Sequence, residues 1–156
     1  MSETERDNAG VVAPPPLIYF GPLLAGVLLH RVRPASALPR GLARALGWPL
    51  LLGGVALGTW FAVTMRRAGT SADPREPVAR LVTWGPFRYS RNPGYAAFTL
   101  VYAGLALLVD TIWPLVWLPA ILAVMRRGVI EREERYLERR FGQEYRRFRA
   151  RTRRWI

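Results

Sequence analysis

The chain has 156 residues, enough for one domain; 51% of them are hydrophobic, yet the formal net charge is +12. Apolar residues stand in long blocks and charges in others, the pattern of a membrane protein rather than a soluble domain. Cysteine is absent and His30 is the single histidine, which excludes disulfides and Cys-ligated metals and leaves a His-based zinc or iron site without ligands.

All 23 basic residues are arginine. They flank the apolar blocks, which points to lipid headgroups and topology rather than nucleic acid, for which no motif is present.

In chain order, residues 1–16 read as a disordered tail. Glu3, Glu5 and Asp7 stand where a secretory signal needs a basic start, and Pro14-Pro15-Pro16 stiffens the approach to the first apolar block. That block, residues 17–29, is short against the roughly 20 helical residues that cross a bilayer core of about 30 Å. Residues 46–65 have the full length and no charge. Gly47, Gly53, Gly54 and Gly58 give this span small positions where another helix packs closely. Residues 66–92 form a polar connector rich in Gly, Pro and Arg.

Two further apolar runs, residues 93–109 and 112–125, are separated by Asp110-Thr111 and read as a tight helical hairpin. Trp113 and Trp117 lie near its tip, where aromatic side chains favour the interface. Residues 129–149 read as an amphipathic surface helix broken at Gly142. The expected fold is all-α: an integral membrane bundle of about four transmembrane helices, the last two a hairpin, plus a C-terminal cytosolic amphipathic helix. Residues 17–156 form a single domain. The positive-inside rule places the connector and the last helix in the cytoplasm. Four spans then leave the loop carrying Arg31, Arg33, Arg40 and Arg44 outside, against the rule unless the first block does not fully cross.

Two segments carry chemistry. The first is Gly85-Pro86-Phe87-Arg88-Tyr89-Ser90-Arg91-Asn92-Pro93-Gly94-Tyr95, at the start of a membrane helix. Pro93 suits the first helical turn and Asn92 the N-cap. The free N–H groups there, with Arg88 and Arg91, suit a carboxylate or phosphate. The plainer reading is a capped helix with arginines at the headgroups. The second segment is Glu131-Arg132-Glu133-Glu134-Arg135-Tyr136-Leu137-Glu138-Arg139-Arg140-Phe141-Gly142. On a helical wheel with Ile130 at zero, Leu137 falls at about 340° and Phe141 at about 20°, so Glu134, at about 40°, lies inside the apolar face. Glu133, at about 300°, lies on its border. A carboxylate there needs a partner. The plainer reading is a salt-bridged helix, which accounts for Glu131 and Glu138 better than for Glu134.

Together these motifs, with an apolar hairpin between them, resemble the isoprenylcysteine carboxyl methyltransferase and phospholipid methyltransferase superfamily. The resemblance covers about residues 68–156. It implies an integral membrane methyltransferase that binds S-adenosyl-L-methionine on the cytosolic side. The cofactor site would comprise Arg88, Tyr89, Arg91, Asn92, Pro93, Tyr95, Glu133 and Glu134, with Arg91 and Asn92 as the catalytic residues and no metal. Members often carry His where Asn92 stands here, and Asn cannot exchange a proton near neutral pH. The reaction expected is methylation of a lipophilic, isoprenoid or lipid acceptor at the membrane interface, carboxyl O-methylation favoured, in the inner membrane of a bacterium. Partners are membrane lipid and the acceptor. The alternatives are a non-catalytic lipid- or partner-binding membrane protein and an isoprenoid or steroid reductase using a nicotinamide cofactor.

Overall fold

The computed structural model describes residues 8–155, and among them there is no strand. Six α-helices follow in order: α1 Pro15–Val32, α2 Arg40–Ala68, α3 Pro93–Leu108, α4 Trp113–Met125, α5 Glu131–Phe141 and α6 Gln143–Arg151. Three helical stretches are long and apolar enough to cross a membrane: Pro15–Val32, Arg40–Ala68 and Trp113–Phe141. The third is continuous because a π-turn, Arg126–Ile130, joins α4 to α5. Its polar end lies beyond the hydrocarbon, since eight of the eleven residues of α5 are charged. Helix α3 is apolar but has only 16 residues, about 24 Å against a core of about 30 Å.

Helix α3 sits at the centre, packed against α2 on one side and against α1 and α4 on the other. Small residues make the α2–α3 contact close. A Cβ at Gly104 would lie 2.6 Å from the Leu51 nitrogen, and one at Gly54 would lie 2.8 Å from the Val101 nitrogen. Tyr19, Tyr102, Ile121, Met125 and Val129 form a core cluster between α1, α3 and α4. The Tyr102 hydroxyl donates to the Pro114 carbonyl at 2.8 Å, which satisfies a phenol in an apolar interior. The outward faces carry exposed Leu17, Leu24 and Leu28 on α1, Leu52 and Trp60 on α2, and Val116 and Val124 on α4, the surface that hydrocarbon covers.

The hairpin turns where expected, and a Schellman geometry makes the turn. Asp110 takes φ 57°, its N–H reaches the Leu107 carbonyl at 3.0 Å, and the Thr111 N–H reaches the Ala106 carbonyl at 3.1 Å. The loop between α1 and α2 lies against this tip. The Ile112 N–H donates to the Ala35 carbonyl, the Trp113 indole N–H donates to the Arg33 carbonyl at 2.8 Å, and Arg40 pairs with Asp110 at 3.6 Å. The arginines of that loop therefore sit at the tip end of the bundle, opposite the connector and α5. The first apolar block becomes an 18-residue helix because it recruits Pro15 and Pro16 at its start and residues 30–32 at its end.

Residues 1–7 of the expected tail lie outside the described residues, while residues 8–14 form a strap. Its Val12 N–H donates to the Gly128 carbonyl at 3.1 Å, its Ala9 N–H to the Pro74 carbonyl at 3.3 Å, and Arg132 donates to the Gly10 carbonyl at 2.8 Å. Val12 fits against Gly128, where a Cβ would come within 2.6 Å of it.

Candidate functional site

A cavity of about 380 Å³ opens at the connector end of the bundle, within the range that holds small-molecule ligands. Phe61 and Met65 of α2, Tyr95 and Phe98 of α3, and Leu137 of α5 give it apolar walls, and Pro14–Pro16 closes one side. Arg91, Asn92, Glu133, Glu134 and the α6 residue Tyr145 make its polar end. The two sequence motifs thus meet across one space, because α3 starts beside the point where α5 leaves the membrane.

Glu133 and Glu134 follow one another on α5 and have different partners. The Tyr95 hydroxyl donates to Glu133 Oε2 at 2.8 Å. Burial raises the Glu133 carboxyl to about 7, opposed by that hydrogen bond and reinforced by the neighbouring Glu134 charge. Glu134 is held by two guanidinium groups. Arg154 forms a fork on it, Nε to Oε1 at 3.1 Å and Nη2 to Oε2 at 2.7 Å, and Arg91 Nη1 lies 3.0 Å from Oε1. The Arg91 contact is close but poorly aligned: its Nε and Nη1 are buried and make no hydrogen bond. The Tyr145 hydroxyl lies beside the same guanidinium.

Six of the eight expected site residues line the cavity: Arg91, Asn92, Pro93, Tyr95, Glu133 and Glu134. Arg88 and Tyr89 do not. The 3₁₀ turn Gly85–Arg88 directs Phe87 inward onto Phe61, ring centroids 5.8 Å apart. The next two residues then point outward; Arg88 is exposed, and Tyr89 is 65% exposed beside Trp60. Asn92 occupies the N-cap position of α3, but its side chain makes no capping bond. Its ψ of 53° is far from the extended value of a capping residue, and its amide donates instead to the Arg154 carbonyl at 2.9 Å.

The wheel placed Glu134 correctly, and Glu134 is 9% exposed. It missed Tyr136, whose hydroxyl accepts the Val78 N–H at 3.2 Å and which the connector buries from the flank. Arg154, Tyr145 and Phe61 also went unread. Only the aromatic stripe Tyr145/Phe148 on an otherwise charged helix was a local signal, and α6 buries those two residues.

The fold and site define a polytopic helical membrane protein with a mixed polar and apolar ligand cavity at one membrane surface. Residues 42–144 match the phospholipid methyltransferase family, and the chain belongs to it. This bears out the resemblance to the isoprenylcysteine carboxyl methyltransferase and phospholipid methyltransferase superfamily of integral membrane methyltransferases. Among curated proteins, the chain is similar to an uncharacterized protein of Haemophilus influenzae, 46% identical over 57 residues, covering 33% of this chain and 90% of the relative. No solved structure matches.

Proposed function

We propose that this protein transfers a methyl group from S-adenosyl-L-methionine to a lipophilic acceptor at the membrane surface, with carboxyl O-methylation favoured and the arginine-rich end of the bundle in the cytoplasm. One observation carries the reading. Arg91, whose buried Nε and Nη1 make no hydrogen bond although Glu134 Oε1 lies 3.0 Å from Nη1, and the Glu133 carboxylate belong to the lining of one cavity. A guanidinium short of acceptors and a carboxylate with spare lone pairs are the receptors that an α-amino acid zwitterion needs, one for its carboxylate and one for its ammonium.

The cofactor supplies a methyl group already activated on a sulfonium. The protein's task is orientation. Phe61, Met65, Phe98 and Leu137 offer apolar surface for the acceptor chain, and the strap and connector exclude water from the reacting groups. A carboxylate acceptor brings its own lone pair to the methyl carbon, so the lack of a proton-exchanging residue at Asn92 is no obstacle.

S-adenosylhomocysteine should raise the melting temperature of the protein in detergent. At about 100 times the dissociation constant, linkage contributes about 2.7 kcal/mol. A shift with NADPH and none with S-adenosylhomocysteine would replace this reading with a reductase.

A further inference from the structure

The segment that follows α6 returns across the start of α3. The Arg91 N–H donates to the Arg153 carbonyl at 2.8 Å. The Arg154 carbonyl accepts from Ser90 Oγ at 3.2 Å and from Asn92 Nδ2 at 2.9 Å. Three consecutive residues of the α3 motif thus grip the backbone of this segment, and the grip delivers the Arg154 side chain to α5. There it forks onto Glu134, with its Nη1 4.0 Å from Glu131. Arg154 does not itself line the cavity.

The fork matters because of what Glu134 would otherwise do. A buried carboxylate without a partner is strongly disfavoured. Arg91 Nη1 already pairs with Oε1 at 3.0 Å, without an aligned hydrogen bond, so Glu134 released from Arg154 would turn fully onto Arg91 and occupy its donors. Resting on the methyl-donor reading above, we propose that Arg154 is a positioning residue. By holding Glu134, it keeps the donors of Arg91 available to the carboxylate of the cofactor. Arg154 thus sets cofactor affinity without touching the cofactor.

The test is a titration of the detergent-solubilised full chain with S-adenosylhomocysteine, with thermal melting as a check on folding. Arg154→Ala should weaken binding about tenfold or more, the loss of a charge-assisted hydrogen bond at Arg91. Glu134 belongs to the cavity lining, so Glu134→Gln alone sets the reference affinity against which the double variant is read. The double variant Arg154→Ala/Glu134→Gln should bind within about threefold of Glu134→Gln alone, because a neutral amide competes weakly for Arg91, and no purely structural role for Arg154 predicts this. Should Arg154→Ala fail to fold, Arg154→Lys serves. It keeps the charge and loses the fork, and it should bind about threefold or more weakly. Wild-type affinity in the single Arg154 variant, or a double variant about tenfold or more weaker than Glu134→Gln alone, overturns the proposal. Wild-type protein that does not bind S-adenosylhomocysteine at all overturns the methyl-donor reading instead.

Discussion

Adjacent carboxylates on one turn of α5 live in opposite electrostatic surroundings. Glu134 lies between Arg91 and Arg154, whereas Glu133 faces a phenol and the cavity, with burial raising its carboxyl to about 7. The sign of the consequence follows from linkage. A carboxyl raised above its unfolded value binds its proton more tightly in the folded state, so its contribution to stability is present at low pH and is lost as pH rises from about 4.5 to about 7. A cationic ammonium needs the ionised form, so binding moves the other way. Affinity for S-adenosylhomocysteine should rise nearly tenfold between about pH 6 and about pH 7.5, the change in ionised fraction of a group that titrates near 7. Glu133→Gln should flatten this profile. A flat wild-type profile between those values would remove Glu133 as the ammonium receptor. The glutamates and Arg91 were legible in the sequence because a carboxylate on an apolar helix face and an arginine at a helix start are local patterns. Arg154 was not legible: it lies 20 residues from Glu134, in a run of arginines that periodicity cannot distinguish. Arg88 and Tyr89 fall outside the cavity lining because the 3₁₀ turn, which adjacency in sequence does not show, points them outward.

At the scale of elements, the closest packing is between α2 and α3, and backbone atoms set it. A methyl at Gly104 would meet the Leu51 nitrogen at 2.6 Å, which no side-chain rotation relieves, whereas a methyl at Gly53 meets nothing within 4 Å. Gly104→Ala should therefore destabilise the protein by about 1–3 kcal/mol through overpacking. Gly53→Ala should be neutral or stabilising, because alanine is the better helix former by about 1 kcal/mol. Melting curves in one detergent would separate the two, and equal melting temperatures would mean that α2 and α3 do not pack this way. Composition suggested packing for Gly47, Gly53, Gly54 and Gly58 alike. It could not say which face of α2 meets α3, since the span is apolar all round. The hairpin and the break at Gly142 were legible because polar pairs and glycine interrupt apolar or periodic runs. The π-turn that fuses α4 with α5 was not, because its residues, Arg126–Ile130, read from sequence as the end of one helix and the start of another. One extra residue in that turn rotates α5 relative to α4, and the Gly128 position it creates receives the strap.

For the whole molecule, the arrangement of ends decides how the cavity meets the two sides of the membrane. The strap, connector, α5 and α6 gather at one end, and the α1–α2 loop and hairpin tip gather at the other, tied by Arg40 to Asp110 and by Trp113 to Arg33. Four arginines, Arg31, Arg33, Arg40 and Arg44, lie at or near the tip end, while the other described arginines lie at the cavity end. Because the positive-inside rule acts on the difference between the two sides, this imbalance supports the proposed orientation despite the charges in that loop. The natural chain has no cysteine, so single introduced thiols report position without background. Glu76 and Glu144 are exposed at the cavity end and Ser36 is exposed at the tip end. In intact cells or sealed vesicles, Glu76→Cys and Glu144→Cys should react with a membrane-impermeant maleimide from the same side, the cytoplasmic one. Ser36→Cys should react only from the opposite side. The pair of cavity-end thiols tests whether α3 and the α4–α5 helix make a complete return crossing, and Ser36 tests whether α1 and α2 each cross. Labelling of Ser36→Cys from the same side as Glu76→Cys would place the α1–α2 loop beside the cavity, which the contacts of Ala35 and Arg33 with the hairpin tip do not permit unless the tip itself fails to cross.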